Sequence, residues 1–132
     1  MSKTPAQKMF IRPKSTVWVG PSEHLETIGD LGPGVETASF SQADTAVLFV
    51  EDSNALREAL GEHADELHAP GMLWIAYPKG NRSDINRDTL WPYLTEYGMR
   101  PITQISIDER WSALRFRPLL EGEPPFTGGK GQ

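Results

Sequence analysis

The chain of 132 residues contains no cysteine. Disulfides, cysteine zinc sites, iron–sulfur centres and a thiol nucleophile are therefore excluded. The sequence also lacks an apolar run near the roughly 18 residues that a membrane-spanning helix needs. Its N-terminus has no apolar stretch of about 7 or more residues, which a secretory signal would require. These absences predict a soluble, cytoplasmic protein that does not contact a membrane.

Basic residues are too few for a free-standing nucleic-acid binder, because 13 lysines and arginines face 18 acids and leave a net charge of -5. Residues 1–22 nevertheless carry four bases and no acid, whereas residues 23–66 carry eleven acids and one base. We expect a basic N-terminal arm over residues 1–14, a single domain over residues 15–118 and a disordered Gly- and Pro-rich tail over residues 119–132. The arm is either solvated, or folds back on the acidic half or reaches an acidic partner.

Strand and helix patterns alternate between residues 16 and 100. Strands are predicted at 16–20, 35–40, 45–50 and 72–77, with helices at 22–28, 53–67 and from Asp88 or Thr89 to Tyr97. The strands at 45–50 and 72–77 are almost free of charge, which is typical of parallel strands buried on both faces. Two more strands, 102–107 and 111–117, flank a charged turn. The sequence therefore predicts an α/β fold: an open, mostly parallel sheet of about six strands, with helices on its faces and a C-terminal antiparallel hairpin.

Aromatic and charged residues within these elements carry their own predictions. Trp74, Trp91 and Trp111 are expected in the core, since large aromatics at such positions are more often packed than exposed. Arg115 lies in the middle of the last strand. If it is buried it needs a carboxylate, and Asp84 or Asp108 is the expected partner.

A ligand site is expected at the carboxyl ends of the strands, where open α/β sheets bind ligands. Charged residues of both signs follow these strand ends, and the candidate ligand-binding residues are Lys79, Arg82, Arg87, Glu51, Asp52 and Asp108. Two interpretations remain open. The cations form an anion-binding patch, or the set is a salt-bridge network that holds the loop 79–88 in place.

Catalytic and metal-binding motifs are not found. His63 and His68 are five residues apart and do not share a helix face, so no metal is predicted. Ser22 and His24 lack the strained Gly-x-Ser-x-Gly turn of a hydrolase nucleophile. We predict no catalytic residue.

Two resemblances are carried by particular stretches of the chain. Residues 44–117 resemble the C-terminal half of the class I S-adenosylmethionine-dependent methyltransferase fold, with a strand that ends in acids, a helix, a Pro-Gly turn into the next strand, another helix and a closing hairpin. Residues 10–118 also resemble a family of small uncharacterised bacterial proteins, a domain of unknown function. The stretches that carry this second resemblance are Leu73–Lys79, Ser83–Asp88 and Trp111–Phe116.

The methyltransferase resemblance implies a glycine-rich turn after the first strand and an acid at the end of the second. The first strand ends in a single glycine, Gly20, followed by Pro21, which has no N–H donor. The second ends Ser39–Gln42 without an acid. No cofactor is therefore predicted.

From the sequence we expect a non-catalytic protein that acts by association with itself or with a protein partner. The alternative is a binder of a small anionic ligand or nucleotide at the strand ends, and a methyltransferase is a further alternative.

Overall fold

The computed structural model describes residues 4–80 and 83–125. Within these residues six strands form one sheet: β1 (Thr16–Gly20), β2 (Glu36–Thr37), β3 (Thr45–Phe49), β4 (Met72–Pro78), β5 (Met99–Ser106) and β6 (Trp111–Pro118). The α-helices are α1 (Pro5–Lys8), α2 (Leu25–Ile28), α3 (Ser53–Glu62) and α4 (Arg87–Thr95), and 3₁₀ turns lie at Ser22–His24, Phe40–Gln42 and Ala64–Glu66. None of the helices in the described ranges is long and apolar enough to cross a membrane.

The strand order across the sheet is β2-β1-β3-β4-β6-β5. The first three pairings, β1 with β2, β1 with β3 and β3 with β4, are parallel, and β6 pairs antiparallel with β4 and with β5. The predicted fold class is confirmed. Its physical basis is visible in β3, where all five residues are buried, as an uncharged strand with helices or loops on both sides requires.

Two hydrophobic cores cover the two faces of the sheet. The face under α3 and α4, here the α3 face, packs side chains that include Leu56, Leu60, Leu90, Leu94 and Phe116. The opposite face, the α1 face, lies under α1 and α2 and includes Met9, Ile28, Phe49, Trp74 and Trp111. The core positions predicted for Trp74 and Trp111 are confirmed at 0% and 3% exposure. Trp91 is only partly buried against the α3-face core.

Capping side chains fix where the two longer helices begin. Asp52 precedes α3 and accepts a hydrogen bond from the backbone N–H of Ala55 at 2.9 Å. The start predicted for α4 at Asp88 or Thr89 is wrong. Asn86 is the cap, because its side-chain oxygen accepts from the N–H groups of both Asp88 and Thr89. The helix therefore starts at Arg87, and Pro92 falls in its interior.

The N-terminal segment and the segment after β6 both contact the sheet. Met9 is fully buried on the α1 face, which anchors the basic arm from Thr4 onward. Although residues 119–132 were expected to be disordered, the part up to Pro125 is held through Glu123, whose carboxylate bonds both Arg100 and Arg117 at 2.8 Å. Residues 126–132 of that predicted tail lie outside the described residues.

Candidate functional site

A crevice opens where the chain leaves β1 and β3 in opposite directions. The connection after β1 runs through α2 to β2 on one side, and the connection after β3 runs through α3 to β4 on the other. Such a switch point, at the carboxyl ends of parallel strands, is where open α/β sheets hold ligands. The cavity here measures about 450 Å³, within the usual range of small-molecule sites, roughly 300–1,000 Å³. Among its lining residues are Trp18, Gly20, Leu48, Glu58, Glu62 and His63.

The indole of Trp18 lies against the turn that follows β1 and forms part of the wall of the crevice. A Cβ added at Gly20 would overlap Cη2 of the Trp18 indole and lie 2.6 Å from its Cζ2. Residue 20 is therefore glycine because the indole of its own chain needs the space. Both Trp18 and Gly20 line the crevice.

His63 forms an aromatic cluster with two neighbours at the end of α3. Its ring stacks on Phe40 with centroids 4.2 Å apart and meets Trp18 edge-on at 5.1 Å. Nδ1–H donates to Glu66 Oε2 at 2.7 Å, and Nε2 lies 3.3 Å from Glu62 Oε2. The side chain is 11% exposed, so packing and the Glu66 bond hold the ring in one orientation at the wall of the crevice.

The charge of the crevice is negative. Glu58 and Glu62, one helical turn apart on α3, are exposed carboxylates of its wall, and within the described chain no lysine or arginine lines it. A cavity with acidic walls favours a cationic ligand over an anionic one.

The residues predicted to form a ligand site do not bond to one another in the described ranges. Lys79 donates through Nζ to Ser106 Oγ at 2.5 Å. Glu51 pairs with Arg110 at 2.9 Å across the strand ends. Arg110 was not among the predicted residues, although its place in the hairpin turn beside Asp108 was a signal for it.

The remaining predicted residues serve nearby turns and helix ends. Asp52 caps α3, and the carboxylate of Asp108 accepts from the N–H groups of Arg110 and Trp111 at 2.8 Å. Arg87 is exposed in the first turn of α4, on the side of β5. Arg82 lies outside the described residues.

A carboxylate that was not predicted as a site residue joins the loop before α4 to the start of α3. Asp84 accepts from the backbone N–H of Ser53 at 2.9 Å and from its hydroxyl at 2.5 Å. These two bonds hold the pKa of Asp84 below its ordinary value. The predicted pairing of Asp84 or Asp108 with Arg115 is therefore wrong, since both carboxylates are bonded elsewhere.

Comparison with solved structures identifies the fold class. A protein of the NADB-Rossmann superfamily from Streptococcus agalactiae superposes with a TM-score of 0.56 at 12% identity, over 96% of this chain and 72% of that one. A candidate tRNA (m1A22) methyltransferase from Streptococcus pneumoniae, solved in complex with S-adenosyl-L-methionine, superposes with a TM-score of 0.55 at 13% identity, over 97% of this chain and 77% of that one. By sequence, no family model and no curated protein matches. The chain has a Rossmann-like fold of the kind found in these methyltransferase-like proteins.

This finding corrects the function expected from the sequence. A non-catalytic protein was predicted because no complete catalytic motif could be found. Structures of the same fold instead include a methyltransferase candidate with S-adenosyl-L-methionine bound. In this chain the residues after β1, Gly20, Pro21 and Ser22, line the crevice together with Trp18 and α3.

Proposed function

We propose that the chain binds S-adenosylmethionine in the crevice between β1 and β3 and belongs to the methyltransferase class of enzymes. The observation that carries this proposal is the combination, at the switch point of a methyltransferase-like sheet, of an aromatic wall with two carboxylates. The substrate that accepts the methyl group is not part of the proposal.

The aromatic wall suits the adenine of the cofactor. Trp18 lines the cavity, and its edge-on contacts with Phe40 and His63 hold the indole in place. A fixed indole offers a flat surface on which a purine stacks, a contact worth about 1–3 kcal/mol for bases on aromatic side chains. Trp18 thereby adds an aromatic support for the ligand beside the turn after β1, which also lines the crevice.

The carboxylates of the crevice suit the charge of the cofactor, which carries a sulfonium, an ammonium and one carboxylate and is therefore a net cation. Glu58 and Glu62 project from α3 into the cavity wall without a competing lysine or arginine there. They take the place of the acid that β2 lacks, since Glu36–Thr37 is followed by Ala38, Ser39 and Phe40.

When bound, the cofactor supplies a methyl group on a cationic sulfur, which a nucleophile attacks. The imidazole of His63 lies at the wall of the crevice between two carboxylates, with Nδ1 2.7 Å from Glu66 Oε2 and Nε2 3.3 Å from Glu62 Oε2. Both ring nitrogens are engaged by these carboxylates, so His63 helps to hold the aromatic wall in place. Trp18 and Phe40 exclude water from one side of the ring.

Isothermal titration calorimetry with S-adenosylmethionine and with S-adenosylhomocysteine, which lacks the sulfonium charge, tests the proposal. We expect one-to-one binding of both compounds. The double variant Glu58→Gln/Glu62→Gln changes only exposed side chains, so it will fold. It should lower the affinity for S-adenosylmethionine about tenfold, which corresponds to ~1.4 kcal/mol of binding free energy. Binding of S-adenosylhomocysteine, which keeps the ammonium and the carboxylate but has no sulfonium, should change less.

Glu26→Gln on α2 is the matched control, because Glu26 is an exposed acid that does not line the crevice. It should leave both affinities unchanged. Absence of binding heat for either compound, or equal affinities in the wild type and in the double variant, would rule the proposal out.

A further inference from the structure

A second cavity, larger than the crevice, lies at the opposite edge of the sheet. It measures about 800 Å³ and opens between the segment after α1 and the amino ends of β1, β3 and β4. Among the residues that line it are Phe10, Ile11, Arg12, Asp44, Met72 and Arg115. The proposed cofactor site uses none of these residues.

Arg115 is the most unusual of them. It lies on the α1 face in the middle of β6, and its side chain forms no hydrogen bond or ion pair with any described residue. Its Nε is buried without a partner among the described residues, and the guanidinium carbon lies 5.9 Å from the centroid of the Phe10 ring. A buried, charged donor is costly unless an acceptor meets it. No described carboxylate does so.

A second unpartnered donor lies next to Arg115. Trp74 is its cross-strand neighbour on β4, and residues paired in this register share a face of the sheet. The indole of Trp74 is fully buried, and its Nε1 has no acceptor among the described residues. Two donors without acceptors therefore lie on one face, beside the cavity.

Phe10 holds a backbone conformation that glycine usually adopts. Its φ of 61° ends α1, and the N–H of Ile11 bonds back to the carbonyl of Ala6. Phenylalanine at this position is strained, and its ring is 51% exposed at the cavity rim. A strained backbone conformation of this kind is retained where the surrounding structure holds the residue in place. Here the conformation of Phe10 places its ring beside Arg115.

The charge of the lining favours a single negative charge on the ligand. Arg12 and Arg115 contribute two positive charges and Asp44 one negative charge. Asp44 is already engaged, because Oδ2 accepts from the N–H and the hydroxyl of Thr16 at 3.0 and 3.2 Å. The walls are otherwise largely apolar, with Ile11 and Met72 among them.

We propose that this cavity is a binding site for a monocarboxylate with an apolar body. The carboxylate pairs with the guanidinium of Arg115, which presents a planar, two-pronged donor. The apolar body lies against Phe10, Ile11 and Met72. This site is independent of the proposed cofactor crevice at the other edge of the sheet.

Octanoate is the probe, with octanol and octyl phosphate as its uncharged and dianionic counterparts, and calorimetry measures all three. We expect octanoate to bind one-to-one and more tightly than either counterpart. Arg115→Met should weaken octanoate at least tenfold. Arg57→Met on α3, a cation remote from the cavity, should not.

Thermal melting of the same variants separates a ligand role from a structural one. Because no described residue forms a hydrogen bond or an ion pair with the Arg115 side chain, Arg115→Met should melt no lower than the wild type, and octanoate should raise the melting temperature of the wild type alone. Equal octanoate affinity in the two proteins, tighter binding of octyl phosphate, or a lower melting temperature of Arg115→Met without ligand would overturn the proposal.

Discussion

The carboxylate of Asp84 caps the start of α3 from a loop 31 residues away, through the backbone N–H and the hydroxyl of Ser53. This contact joins the connection after β4 to the helix that walls the crevice. It therefore helps to hold α3, and with it Glu58 and Glu62, in position relative to the sheet.

Replacement of Asp84 by asparagine should lower the urea midpoint at neutral pH, because an amide is a weaker acceptor at a helix N-terminus than a carboxylate. The folded-state pKa of Asp84 lies below its ordinary value of 3.8. Its stabilising effect is thus complete above that value and is lost as the pH falls through the folded-state pKa. The difference between wild type and Asp84→Asn should shrink in acid. Asp65 is an exposed acid on the 3₁₀ turn after α3. An equal decrease of the urea midpoint in Asp65→Asn would contradict this account.

Glu123 should hold the segment after β6 against the sheet. Its hydrogen bonds with Arg117 and Leu120 lower the pKa of Glu123 from 4.5 to about 2. The contribution of this carboxylate to stability is therefore complete above pH 4.5 and fades as the pH falls towards 2. Glu123→Gln should make residues after Pro118 more accessible to proteolysis at neutral pH, whereas the exposed Glu121→Gln should not. Identical digestion of the two variants would show that Glu123 is not the anchor.

Trp111 should be a large contributor to the α1-face core. It is 3% exposed and meets Phe49 and His24 edge-on, with centroids 5.0 and 5.2 Å apart. Trp111→Ala should lower the free energy of unfolding by roughly 3–5 kcal/mol, as truncation of a buried aromatic does. Leu120→Ala, 67% exposed, should cost no more than about 0.5 kcal/mol. A decrease of less than about 0.5 kcal/mol in the free energy of unfolding of Trp111→Ala, measured by chemical denaturation, would place the indole outside the core.

Gly20→Ala should displace Trp18, because the new Cβ overlaps the indole. Overpacking of this kind costs about 1–3 kcal/mol. In a double-mutant cycle, Trp18→Leu removes the overlapping ring, so Gly20→Ala should cost less in that background than in the wild type. Equal costs in the two backgrounds, measured by urea denaturation, would show that the two side chains do not compete for this space.

The sheet could be predicted because its central strands are almost free of charge, whereas the segments on either side of them are polar. The uncharged strands at 45–50 and 72–77 and the alternation with helices required parallel pairing and crossovers. The helix boundaries were harder to predict, because neighbouring polar residues compete to cap the same helix N-terminus. Asn86 outcompetes Asp88 as a cap because it accepts from two N–H groups at once, which no single-residue preference reveals.

The sites could not be predicted from charge alone. Lys79 and Glu51 follow strand ends as expected, yet each bonds the β5–β6 hairpin, at Ser106 and Arg110, because that hairpin reaches the same edge. Arg115 was recognised as needing an acceptor, but only the structure places the cavity beside it. Such contacts depend on distances across the sheet, which cannot be read from the spacing of residues in the sequence.

The central claim, that the crevice beside Trp18 binds S-adenosylmethionine, is tested most directly by titrating the ¹⁵N-labelled chain with the cofactor and following its amide resonances. We predict saturable shifts at Trp18, Gly20, Ser22 and along Ala55–His63, and none around Arg115 at the opposite edge of the sheet. Unchanged spectra at millimolar cofactor, or shifts confined to other parts of the chain, would contradict the account.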